Sequence, residues 1–310
     1  MSDTDFVLIT DDLIESCYQR VISSVDIEQV SREIDFSLSE MIFIYGIVKE
    51  ESRQTLSLLR GIKIKHDARL LEVGAGYGIA SICLAMMGLN VTALEPGGIG
   101  FEENSRASKV IARMCGVELN HLTTTVEEAD FELVEKFDLV FSNNVLEHID
   151  DVQIGLTNLI KAIKPEGIMI HSCANYAFPY EPHFSKPLFP VFPQLTKYVL
   201  PHEIRNHGVW KSLNFITAAQ VKRNSKKNDV FCAFRKGTMT TSIRRLRSDE
   251  TFAARHKWPR RIASNDFLFK FLVAIFSLPT SLATPMDFLI CSKEQKSSAA
   301  VQDWLRATQN

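Results

Sequence analysis

The sequence predicts an α/β fold, a mostly parallel sheet with helices on both faces behind a helical N-terminal cap. Three observations carry this. Residues 69–173 alternate short apolar runs with helix-like segments, the pattern of strands joined by crossover helices. A glycine turn, Gly74-Ala75-Gly76-Tyr77-Gly78, follows the first apolar run. Ahead of it, Met41, Ile44, Tyr45, Val48, Leu56 and Leu59 recur at helical spacing.

The elements follow in order. Residues 1–61 read as helical, and Gly61 stops the last helix. A strand is expected at 69–73, a helix at 79–87 ending at Gly88, a strand at 90–94 and a helix running to Met114. Strands at 118–124 and 137–142, a helix at 152–163 and a strand at 167–172 complete the alternation. Residues 176–212 then break the rhythm as an insertion after the fifth strand. Pro179, Pro182, Pro187, Pro190, Pro193 and Pro201 cannot lie inside helices or central strands. Tyr176, Phe178, Tyr180, Phe184, Phe189 and Phe192 are interleaved with them, too aromatic a composition for a disordered linker.

Thr217 is a good cap for a helix at 218–228, followed by a strand at 230–234. Residues 240–280 are a second insertion, basic at first and apolar later. Its run 267–278 is too short to span a bilayer and contains Lys270. It reads as a buried helix, with attachment to a membrane surface as the alternative. A final strand at 287–291 closes the main domain, 62–292, and residues 293–310 read as a fraying polar tail.

Composition excludes several classes. Hydrophobic residues are 45% of the chain and charged residues 23%, ordinary for a globular protein. The net charge of -2 gives no overall pull toward nucleic acid. Residues 222–261 nevertheless hold 13 basic and 3 acidic side chains, a surface for an anionic partner or simply a solvated face. The six cysteines form no CxxC pair, so neither zinc nor a redox pair is expected. Scattered cysteines and an acidic MSDTDFVLIT start lead to the expectation of a cytoplasmic protein without a secretory signal. His202-Glu203 opens an H-E-x-x-H pattern, but position 206 is Asn206 and His207 comes one residue late.

The glycine turn is G-x-G-x-G, preceded by Glu72; a dinucleotide fingerprint would need glycine in place of Ile79. Glu95 ends the next strand, where a carboxylate can accept both hydroxyls of a ribose lying across the strand ends. With LLEVGAGYG, VTALEP, TTVEE, FDLVFSNNVLEHIDD and IKPEGIMIH in this order, residues 65–175 resemble the class I S-adenosylmethionine-dependent methyltransferases. The resemblance implies a Rossmann-like seven-stranded sheet. It implies that Gly74, Ala75, Gly76 and Gly78 hold the methionine part of S-adenosylmethionine, supported by Glu72. Glu95, with Pro96 beside it, would bind the ribose, and Val126 and Glu127 the adenine. Asn143 would lie near the sulfonium. No metal is implied.

The acceptor side is less specific. His148 and His183 are candidate bases, since imidazole suits proton removal near neutral pH. His148 reads more as a structural anchor than as a base, and His183 equally as a hydrogen-bonding group in a rigid loop. Glu181, two residues before His183, is a base or substrate anchor. The expectation is methyl transfer to a small-molecule, sugar or lipid-linked acceptor at oxygen, with an amine acceptor the nearest variant. RNA or protein methylation through residues 222–261, and non-catalytic cofactor binding, are the competing readings. A nucleic-acid partner is not expected, because no RNA-binding module is appended.

Overall fold

A computed structural model of the chain describes residues 5–97, 103–131, 136–275, 280 and 282–307. Strand β1 (Phe6–Leu8) leads into helices α1 (Asp11–Ser24), α2 (Ile27–Ile34) and α3 (Leu38–Leu58). Thr10, Asp26 and Ser37 cap these three helices, each accepting backbone N–H groups of the first turn. Strand β2 (Lys63–Lys65) pairs antiparallel with β1, so the segment read as wholly helical starts with a strand. Val7 alone points inward in that three-residue strand, too short a pattern to register as alternation.

The main sheet is assembled from β3 (Arg69–Val73), β4 (Asn90–Leu94), β5 (Asn120–Leu122), β6 (Phe137–Asn143) and β7 (Ile163–Cys173), with helices α4 (Ile79–Met86), α5 (Asn104–Met114) and α6 (Val152–Ala162) between them. After β7 come the hairpin β8 (Tyr180–Glu181) and β9 (Lys186–Pro187), then α7 (His202–Arg205) and α8 (Gly208–Lys211). Helix α9 (Ala218–Lys227) and strand β10 (Phe231–Phe234) resume the alternation. Helices α10 (Thr238–Ser248), α11 (Glu250–Arg255), α12 (Lys257–Ala263) and α13 (Asp266–Ile275) precede β11 (Met286–Cys291) and α14 (Ala299–Arg306).

The seven strands run in the order β10-β11-β7-β6-β3-β4-β5. All neighbours are parallel except β11, which is antiparallel to both β7 and β10. Central strands are apolar on both faces, as a sheet covered on both sides requires. Leu70, Leu139, Ile170 and Leu289 face one core with α1–α5 and α14. Their neighbours Leu71, Val140, Met169 and Phe288 face the other with α6, α9 and the insertion. Each such side chain contributes about 1.5–3 kcal/mol on burial. The chain leaves β3 toward β4 on one side and returns to β6 on the other, so the carboxyl ends of β3 and β6 border the crevice where open α/β sheets place ligands.

Four expectations change. The strand at 118–124 shrinks to β5, and the strand at 167–172 begins earlier, at Ile163. The polar tail carries α14, capped by Ser298, and Trp304 is fully buried. Helix α13 is not buried. Phe267, Leu268 and Phe271 are exposed, because α10–α13 pack mainly on one another as a satellite of the sheet. The end of that apolar run, 276–278, lies outside the described residues. Among the described residues no helix is long and apolar enough to cross a membrane.

Candidate active site

The glycine turn hangs from the end of β4, with the Gly74 and Ala75 N–H groups donating to Leu94 O at 2.8 and 3.1 Å. Gly74, Gly76 and Gly78 all have positive φ, at 67, 55 and 73°, a region costly for residues with a Cβ. Two of these glycines also answer to space. A Cβ on Gly74 would clash with Val145 Cγ2, and one on Gly78 with Ser108 Oγ. A Cβ on Gly76 would meet nothing within 4 Å. That open backbone, beside a carboxylate, is the cradle a nucleoside-like ligand needs.

The carboxylate is Glu95, largely buried, whose Oε2 accepts Gly76 N at 2.7 Å. Burial pushes its pKa up, against hydrogen bonds from Gly76, Gly97 and Asn104. Pro96 beside it is exposed. Beneath the turn, Glu72 accepts the Ser81 hydroxyl of α4 and is raised to about 8, chiefly by burial. Val126 is buried at the next strand end. Glu127 lies beside it and accepts Asp151 N at 3.2 Å, tying this rim to the start of α6. Asn143 ends β6 half-buried, and its Nδ2 donates to Glu51 O of α3 at 3.3 Å. The helical cap therefore borders the crevice.

A second cluster sits at the carboxyl ends of β6 and β7. Glu147 and His148 lie in the short 3₁₀ turn after β6. Glu147 is buried; its Oε1 accepts Ala174 N at 3.3 Å, while its Oε2 has no hydrogen-bond partner among the described residues. Burial raises its pKa to about 7, against the pull of His183. His183, in the turn of the β8–β9 hairpin, packs edge-on against His148 with ring centroids 5.2 Å apart. Its Nδ1 hydrogen-bonds Glu181 Oε1 at 2.6 Å. Glu181 is fully buried and its Oε2 accepts Phe184 N at 2.7 Å, which locks the turn.

The two imidazoles differ in charge state. His148 is depressed to about 3, first by burial and then by His183, so it is neutral; its Nδ1 bonds Ser212 Oγ at 2.8 Å. Burial opposes charging of His183 too, but the Glu181 hydrogen bond and the Glu181, Glu147 and Glu51 carboxylates outweigh it, and its pKa is raised. Its ring is 24% exposed. Ligand atoms of Glu147, His148 and His183 all lie within 4.8 Å of one another, a spacing that would also suit a metal ion.

The structure thus brings His148, His183 and Glu181 together, 35 residues apart in sequence between His148 and His183. Glu147, Glu51 and Ser212 join them without having been singled out. Glu147 stood inside a quoted motif. Glu51 and Ser212 carry no local signal, because only the tertiary fold brings α3 and the segment after α8 to this point.

Part of the basic stretch is ion-paired. Arg245 pairs with Asp249, Arg247 with Asp266 and Arg260 with Glu250. Arg235 is buried, its guanidinium 3.9 Å over the Trp304 ring and 3.7 Å from Asp287.

The chain matches a family model described as a methyltransferase domain over residues 47–215. It is 35% identical over 196 residues to an uncharacterized protein of Mycobacterium tuberculosis, covering 61% of this chain and 66% of that one. It is 29% identical over 170 residues to the ubiquinone biosynthesis O-methyltransferase of Rickettsia conorii, covering 52% of this chain and 56% of the other. The chain thus spans less than two thirds of these relatives. Among solved structures it is similar to Haemonchus contortus phosphoethanolamine N-methyltransferase 2 in complex with S-adenosyl-L-methionine, at 15% identity and a TM-score of 0.48, covering 87% of this chain and 60% of that one.

Proposed function

The chain belongs to the methyltransferase domain family, and from that premise we propose that it moves a methyl group from S-adenosylmethionine to an oxygen of a small-molecule, sugar or lipid-linked acceptor. The observation that carries the acceptor chemistry is the His183–Glu181 pair, joined at 2.6 Å over the carboxyl ends of β6 and β7. The oxygen-methylating relative supports the choice of oxygen.

When bound, S-adenosylmethionine supplies an electrophilic methyl on a sulfonium. The glycine turn would approach the ligand with bare backbone at Gly76, and Glu95 would accept ribose hydroxyls in place of the Gly76 N–H it holds here. Val126 and Glu127 would border the adenine, and Asn143 the sulfonium end of the same crevice. Glu181 holds Nδ1 of His183, which leaves Nε2 to take the proton from an acceptor hydroxyl as the new C–O bond forms. Neutral His148, fixed by Ser212, walls the base on one side and keeps a second positive charge away from it. Glu147 lends negative charge that favours the protonated imidazole after transfer.

The test is His183→Ala. Turnover on the true acceptor should fall about 10²–10⁴-fold, the usual worth of a positioned base, while calorimetric binding of S-adenosylmethionine stays unchanged. Unchanged turnover removes His183 from the chemistry, and absent cofactor binding in the parent protein removes methyl transfer altogether.

A further inference from the structure

The segment between β9 and α7 turns its apolar side chains the wrong way for a soluble loop. Of residues 189–199, Phe189, Val191, Phe192, Leu195, Tyr198 and Val199 are exposed, Val191 at 85% and Tyr198 at 71%. The inward positions belong instead to Pro193 and Thr196. This is not a loose strand of chain. Thr196 Oγ1 accepts Phe189 N at 2.8 Å, and Phe192 N, Leu195 N and Val199 N donate to Pro190, Phe192 and Thr196 carbonyls at 2.8, 3.0 and 3.0 Å. The backbone is paired within a short 3₁₀ turn (Pro193–Tyr198) so that the side chains stand outward. Single exposed apolar residues need no explanation, but six within eleven positions do.

A second exposed apolar face lies on α13, where Phe267 is 76% exposed and stacks with Phe271 at 6.4 Å. The satellite that bears it is joined to the insertion by Tyr180 OH and His256 Nδ1, 2.9 Å apart.

Charge decides the occupant. No carboxylate occurs between Phe184 and Pro201, and Lys197 is exposed with its Nζ 5.1 Å over the Tyr198 ring. On α13 the single charge after Asp266 is the exposed Lys270, and Asp266 is already paired with Arg247. Aromatic and aliphatic tips with one lysine in each patch match the boundary of an anionic bilayer, where rings enter the headgroup layer and ammonium groups stay among phosphates. We infer that residues 189–199, together with the exposed face of α13, dock the protein on an anionic lipid bilayer. The docked segment leads back through β9 to the turn that carries His183, so an amphiphilic acceptor would reach the site from the bilayer.

Vesicle sedimentation of the full chain tests this without turnover, and so independently of the acceptor chemistry. The parent protein should sediment with phosphatidylcholine vesicles containing phosphatidylglycerol, and less as salt rises. Val191→Glu with Phe192→Glu should lower the bound fraction about tenfold or more, as should Phe267→Glu with Phe271→Glu. These residues are exposed, so S-adenosylmethionine binding should not change and serves as the folding control. Parent protein that binds the cofactor but ignores the vesicles overturns the inference. Loop variants that bind like the parent overturn it too. So does a lipid-free dimer, by light scattering, that the loop variant dissolves, since a second copy would then cover the face.

Discussion

His183 and His148 illustrate how two identical side chains, 5.2 Å apart, acquire opposite characters. Both are desolvated, but only His183 touches a carboxylate through Nδ1. The consequence is a pH profile. A base must be neutral to accept a proton, so activity should rise as pH passes up through the raised His183 value. Glu181→Gln removes the partner that holds the proton. The rising limb should then move to lower pH, with a lower plateau. A pH series of kcat/KM on the parent and variant checks this, and a limb that stays in place would separate Glu181 from the base. The same shift bears on stability. The folded imidazole holds its proton above the ordinary 6.5, so the pair stabilises the fold fully below that value and the contribution fades as pH climbs through the raised one. At this scale the sequence was legible only in part. His183 and Glu181 stood out because they sat among prolines and aromatics. Their pairing did not, since nothing local says that Glu181 is buried or which nitrogen it meets.

Elements were legible where periodicity and burial agree. The strands β3, β4 and β6 are continuous apolar runs ended by turn residues, and each appears close to its expected place. Elements whose reason is tertiary were not. Helix α13 is apolar enough to read as core, yet its exposed Phe267 and Phe271 show that composition reports hydrophobicity and not its direction. The reverse error occurred at α14. A polar segment with one tryptophan reads as a tail, but Trp304 carries the whole element inward. Its Nε1 donates to Leu58 O at 2.9 Å, and its carbonyl accepts Arg235 Nε at 3.2 Å. Arg235 also covers the ring and sits near Asp287 of β11. Trp304→Ala should therefore cost about 3–5 kcal/mol, a large buried aromatic's share, and should also leave Arg235 over a void. Denaturant unfolding of the variant measures it. A loss below about 1 kcal/mol would mean that the end of the chain is a removable tail.

The whole molecule binds its helical cap to its sheet more closely than a division at residue 61 suggests. Val7, Ile14, Val21, Val30, Met41 and Leu56 share one continuous core with Leu70, Ile79, Ile111, Ile170 and Trp304. Arg53 pairs with Glu15 inside the cap, while Asn143 at the end of β6 reaches across to Glu51 O. The cap is therefore a wall of the crevice as well as a cover for one face of the sheet. Sequence could show that these helices exist, because their apolar spacing is local. It could not show that they complete the site, because that depends on where α3 comes to rest against β6 and β7. Shared core predicts shared stability. Domains that unfold independently would give separate transitions, whereas elements packed through one core unfold together. Calorimetry should record a single transition over the whole chain, with calorimetric and van't Hoff enthalpies in agreement. Removing residues 1–61 should expose the apolar face of α4 and α5 and abolish both solubility and S-adenosylmethionine binding. A truncated protein that folds and binds the cofactor as the full chain does would mean that the cap only covers the sheet, and that Asn143 and the histidine pair hold their places without α3.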